Sequence, residues 1–147
     1  MMNGQDTTVP VWKLKDLGWL LDGFAARVGH NVRAVLASQD GLIASATGPL
    51  SDDDRARLCA SAAGLLSLGR ATVQAASGDP AGGDVQQMII EHPACLVFVM
   101  AAGAGSLLTV ATDPQADPGR VGHEMTELIQ RVGEHLTTPA RALPEDQ

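Results

Sequence analysis

Apolar residues recur at three- and four-residue spacing through Leu14, Leu17, Leu21, Phe24 and Val28, the period of one helix face. Trp19 and Leu20 lie beside that stripe and widen it, and Gly29 supplies a stop. The period then shortens. Residues 31–38 (NVRAVLAS) read as a strand, Gln39-Asp40-Gly41 as a turn, and residues 42–47 as the returning strand. The stretch SQDGLIASATG is therefore a hairpin. Ala44, Ser45, Ala46 and Thr47 keep both faces of its second strand small, so another element can approach closely. Gly48-Pro49 breaks the pattern.

Ser51 caps a second helix, with Asp52, Asp53 and Asp54 at the positive end of its dipole. Consecutive helical residues point in different directions, so a solvated helix start explains this acid run better than a metal site does. The helix runs to about Ala76. Leu58, Ala62, Leu65 and Gly69 form one stripe with Leu66 and Val73 next to it, and Leu65 with Leu68 marks a second edge. The arc is wide for a helix that covers one side of a sheet. It fits a well-buried core helix, or one that touches both a sheet and another helix.

Residues 77–84 (SGDPAGGD) form a loop by composition. Residues 85–92 (VQQMIIEH) alternate, with polar Gln86, Gln87 and Glu91, as an edge or half-exposed strand does. Residues 94–102 are continuously apolar, as expected of a central strand covered on both faces. Gly103-Ala104-Gly105 turns into a last strand at 106–113. A final helix starts near Asp117-Pro118, with Val121, Met125, Leu128, Val132 and Leu136 facing inward and Ile129 alongside. Arg120–Glu124 and Glu127–Arg131 are i,i+4 pairs on its outer face, and Pro139 ends it. The order α-β-β-α-β-β-β-α predicts an α/β (α+β) sandwich: a five-stranded, mostly antiparallel sheet with helices on both faces. One domain at 13–138 is expected, between a disordered N-terminal tail at 1–12 and a flexible C-terminal tail at 139–147.

Composition removes several classes of function. Aromatic residues make up 3% of the 147 residues, which leaves few platforms for base stacking. The net charge is −7. Up to Leu50 the charges balance, Asp6, Asp16, Asp22 and Asp40 against Lys13, Lys15, Arg27 and Arg33, and the excess acid comes later. An acidic chain without a basic stripe is a poor match for nucleic acid or for an anionic membrane. The N-terminus lacks the basic and apolar regions of a signal peptide, and the longest apolar run is too short to span a bilayer. A soluble, cytoplasmic protein is expected, with Cys59 and Cys95 as buried, reduced thiols.

Candidate chemistry is sparse. The glycines at 82–83 and 103–105 lead into strands and lack the lysine of a phosphate loop. His92-Pro-Ala-Cys95 supplies two metal-capable side chains where a structural zinc needs four. His123-Glu124 lacks the second histidine of a zincin helix. Neither cysteine has a neighbouring His-Asn or lysine signature for activation. No serine sits in a G-x-S-x-G context, and no carboxylate pair stands in an apolar setting. The chain is expected to bind rather than catalyse, with no cofactor and no metal.

The segments LGWLLDGFAARVGHNVRAVLASQDGLIASATG (17–48), ASAAGLLSLGRA (60–71), MIIEHPACLVFVMAAGAGSLLTVATD (88–113) and GHEMTELIQRVGEHL (122–136) together resemble the Roadblock / dynein light-chain family. The bacterial branch, associated with small Ras-like GTPases, fits best. The resemblance implies a profilin/Roadblock-like fold and a homodimer in which the third strand pairs with its twin and the second helices pack side by side. It also implies docking of a small Ras-like GTPase on the second-helix face or the loops near it. Some relatives stimulate GTP hydrolysis by holding the GTPase's own switch loops in the active arrangement. No residue of this chain matches a catalytic contact of that kind. The partner or dimer interface is expected at Leu58, Leu65, Leu66, Leu68, Arg70, Gln86, Gln87 and Met88. A sensor of PAS or GAF type is the alternative, and it would need a roomy pocket with a few convergent polar groups.

Overall fold

Helix α1 spans Gly18–Val28 and buries Leu20, Leu21, Phe24 and Val28, the face its period demands. Trp19 does not join that face. It is 59% exposed, and its ring meets His135 edge-on at 5.2 Å between centroids. The computed structural model describes residues 17–79, 85–103 and 105–137, so Leu14 and both expected tails lie outside the described residues.

Strand β1, Arg33–Ser38, starts later than its sequence pattern, because His30 and Asn31 hold positive φ of 54° and 55°, off the extended region. Strand β2, Ile43–Thr47, returns through the expected turn. There Ser38 N–H donates to Leu42 O at 2.9 Å, Leu42 N–H donates to Ser38 Oγ at 3.1 Å, and Ser38 Oγ also bonds Asp40 Oδ1. Helix α2 spans Asp52–Ser77, strand β3 Met88–His92, strand β4 Cys95–Ala101, strand β5 Ser106–Thr112, and helix α3 Pro118–Thr137.

The five strands run β2-β1-β5-β4-β3, and every adjacent pair is antiparallel. Strand alternation splits the core between the two faces. Ala34, Leu36, Leu96, Phe98, Met100, Leu108 and Val110 meet α1 and α3 in the larger cluster. Val35, Ala37, Val99 and Leu107 meet Cys59, Ala62 and Leu66 of α2 on the other face. Helices therefore cover both faces, as expected from the sequence. The fully buried strand is β5, however, not β4. β5 lies in the middle of the strand order, while β4 is one strand from the edge.

Two further expectations change. Glu124 pairs across the helices with Arg27 at 3.0 Å instead of with Arg120, and Arg120 donates to Arg27 O at 2.7 Å. The α1–α3 contact takes the charges that a lone helix would pair within itself. Cys59 is buried, but Cys95 at the start of β4 is half-buried.

Candidate protein-interaction surface

The surface is built on α2. Ser51 Oγ accepts the Asp54 N–H at 3.1 Å and starts the helix. Arg55 and Arg57 stand 3.9 Å from Asp52 and Asp54 on its first turns. Only a narrow strip of the helix faces the sheet: Cys59, Ala62 and Leu66 are its buried residues. Burial raises the pKa of the Cys59 thiol, and the charge of Asp40 adds to the shift. Residues 71–79 are all exposed, so the last turns of the helix stand clear of the sheet.

The eight residues expected at an interface divide into two groups. Leu66 is 2% exposed and packs on Val99 and Leu107. Leu58 is half-buried against Val35 and Ala37. Leu66 therefore belongs to the chain's own core, and Leu58 packs at the edge of it. Leu65 is half-buried, while Leu68 is 67% exposed. Arg70 is half-buried beside a cleft of about 230 Å³ that Gln39 and Ser67 also line. Met88 is half-buried, and Gln86 and Gln87 are exposed.

Strand β3 is an edge strand, and it exposes apolar side chains on both faces. Ile89 pairs with Phe98, which faces α1 and α3, and Ile90 pairs with Val97, on the α2 face. The two isoleucines are 42% and 41% exposed. Gly69 joins β3 to α2: a Cβ there would stand 3.2 Å from Met88 Sδ and from Val85 Cγ2. Leu68, the β3 edge and the half-buried Met88 thus lie around one corner of the molecule. The sequence expectation did not include Ile89, Ile90 or Val73 (44% exposed). The available signal was Ile89-Ile90 itself, two adjacent large apolar residues that break the alternation of a half-exposed strand.

His92 Nδ1 accepts the Ala94 N–H at 2.9 Å inside the β3–β4 turn. Among the described residues no cluster of three or more His, Cys, Asp or Glu could hold a metal ion. A surface cleft of about 380 Å³ beside α3 draws its polar lining from Gln86, Gln87 and Thr126. Among the described residues no helix is long and apolar enough to cross a membrane.

Residues 17–112 match the family model described as the Roadblock/LC7 domain. A Roadblock/LC7 domain from Streptomyces avermitilis, known as a crystal structure, is 42% identical. It superposes with a TM-score of 0.73 over 82% of this chain and 97% of that one. MglB of Myxococcus xanthus is 16% identical with a TM-score of 0.69, covering 87% of this chain and 97% of its own. Profilin IB of Acanthamoeba castellanii is 15% identical with a TM-score of 0.53, covering 80% and 97%. At those identities the last two share the fold alone. No curated protein matches the chain.

Proposed function

The chain belongs to the Roadblock/LC7 domain family, and on that premise we propose that it is a non-catalytic homodimeric regulator or scaffold that binds a small Ras-like GTPase. The observation that carries the reading is the open corner where α2 meets β3. Leu68 is 67% exposed, and Ile89 and Ile90 expose apolar surface on both faces of an edge strand. Unpaired apolar edges invite association. Isolated surface leucines are ordinary, but apolar residues gathered around an open sheet edge mark a contact site. The exposed outer side of α2 continues this surface and gives a GTPase's switch loops somewhere to rest. Stimulated hydrolysis would then come from ordering the GTPase's own water-positioning residue.

The test is binding of the purified chain to a small Ras-like GTPase from the same genome, loaded with GDP or with a GTP analogue, with hydrolysis followed in parallel. Tighter binding to the GTP state with faster hydrolysis is the result expected of an activating protein. Binding at an unchanged rate defines a scaffold. Absence of binding in both states overturns the GTPase reading and leaves the family membership intact.

A further inference from the structure

We infer that the cleft between α3 and β4 is the seat of this chain's own residues 9–14, with Trp12 inserted as the anchor. This contact is separate from GTPase binding and needs no second copy.

The cleft has the chemistry of a site for one large amphipathic side chain. Its volume is about 380 Å³. Val85, Met100 and Ile129 give it apolar walls, and Gln86, Gln87 and Thr126 stand at its polar side. Val85 and Ile129 are half-buried, so the walls keep apolar surface for an occupant. A tryptophan buries roughly 150–250 Å² and carries one N–H that needs an acceptor. The side-chain oxygen of Gln86 or Gln87 can accept it.

The place where α1 begins points to the occupant. α1 and α3 run antiparallel: Arg27 reaches Glu124 at one end, and Trp19 meets His135 at the other. The start of α1 therefore lies at the last turns of α3. α1 begins at Gly18 with Leu17 at its cap, so the helix does not hold the residues before it to its axis. Residues 9–14 (VPVWKL) lie outside the described residues, and Lys13 is their one polar side chain. Residues 138–147 start from the same end of α3 but hold no aromatic side chain.

Reach and charge agree with this placement. Ile129 sits about 9 Å back along the helix from His135, and α3 is about 10 Å across. The five residues from Leu17 to Trp12 span about 17 Å when extended, so Trp12 reaches the cleft by crossing the end of α3. Lys13 and Lys15 then pass over the last turns of α3, where the terminal carbonyls and Glu134 supply negative charge.

Trp12 and Trp19 are the chain's two tryptophans, so Trp19→Phe leaves Trp12 as the sole one. In that variant the emission should be shifted to the blue, and acrylamide should quench it several-fold less than it quenches N-acetyltryptophanamide. Adding Thr126→Arg or Ile129→Gln should move Trp12 emission to the red and restore quenching, with far-UV circular dichroism unchanged. Thr126 is exposed, so its replacement leaves the core intact even where Ile129→Gln disturbs it. A red-shifted, fully quenched Trp12 in the Trp19→Phe chain overturns the inference. So does a protected Trp12 that neither cleft variant releases, which would place it elsewhere on the chain. Protection lost on dilution to the monomer would place Trp12 on a second copy, and overturns it too.

Discussion

At the scale of single residues, the α2 side of the sheet holds two groups whose burial has measurable consequences. Thr109 is fully buried in β5, and its Oγ1 has no hydrogen-bond partner among the described residues. An unpaired buried hydroxyl carries its desolvation cost uncompensated. Thr109→Val keeps the branched shape and should stabilise the fold by about 1 kcal/mol, read as a higher urea midpoint; an unchanged or lower midpoint would show the hydroxyl to be satisfied in solution. Cys59 of α2 is fully buried against the sheet, and its thiol pKa is raised above the ordinary 9.0, first by desolvation and then by Asp40. Above that ordinary value the unfolded chain has lost the thiol proton while the native state keeps it. Cys59 therefore adds nothing to the pH dependence well below 9.0, and it reduces stability as pH rises toward the folded-state value. Cys59→Ala should flatten the alkaline fall in urea midpoint. Parallel curves for the two proteins would rule out burial of this thiol as a cause.

At the scale of elements, the turns decide how closely the strands approach. Gly48 has φ of 93°, and a Cβ there would lie 2.3 Å from Val32 O and 2.8 Å from Arg33 Cα. Those contacts are with backbone, which cannot swing aside, and the positive φ adds to the strain. Gly48→Ala should cost more than about 1 kcal/mol and lower the thermal midpoint. A loss of only a few tenths would mean that the end of β2 can shift away from β1. Gly48-Pro49 was legible in sequence as a break, but the crowding was not, because Val32 approaches only once β1 and β2 have paired. Helix α2 teaches the same lesson. Its wide apolar arc left a buried helix and a two-sided helix equally open. Contact with the sheet excludes the buried helix, using Cys59, Ala62 and Leu66 and leaving Leu68 and Val73 in solvent.

At the scale of the whole molecule, the corner formed by α2 and β3 is the surface on which association should depend. Burying a leucine against a partner is worth about 1.5–3 kcal/mol. Leu68→Glu replaces that gain with a desolvated charge, and should weaken self-association or GTPase binding by roughly tenfold or more. Because Leu68 is largely exposed, the variant's thermal stability measured in dilute monomer should stay near that of the parent. Unchanged association of every kind would exclude this side of α2. Leu66→Glu is the contrasting case: at 2% exposure it should unfold the chain rather than act on binding.

The sequence by itself determined the element order, the turn chemistry of the first hairpin, the cap of α2 and the family, since each rests on local spacing or on the succession of segments. Periodicity also placed the inward face of α1. Alternation also marked β3 as an edge or half-exposed strand, and only the tertiary structure decided which strand is central and which side of α2 is spent on the sheet. A strand's hydrogen-bond partners and a helix's covering neighbours come from distant parts of the chain, and local periodicity carries no record of them. Leu66 and Leu68 look alike in the sequence, two residues apart on one apolar helix. The sheet buries the first and leaves the second in water because the helix turns about 200° between them.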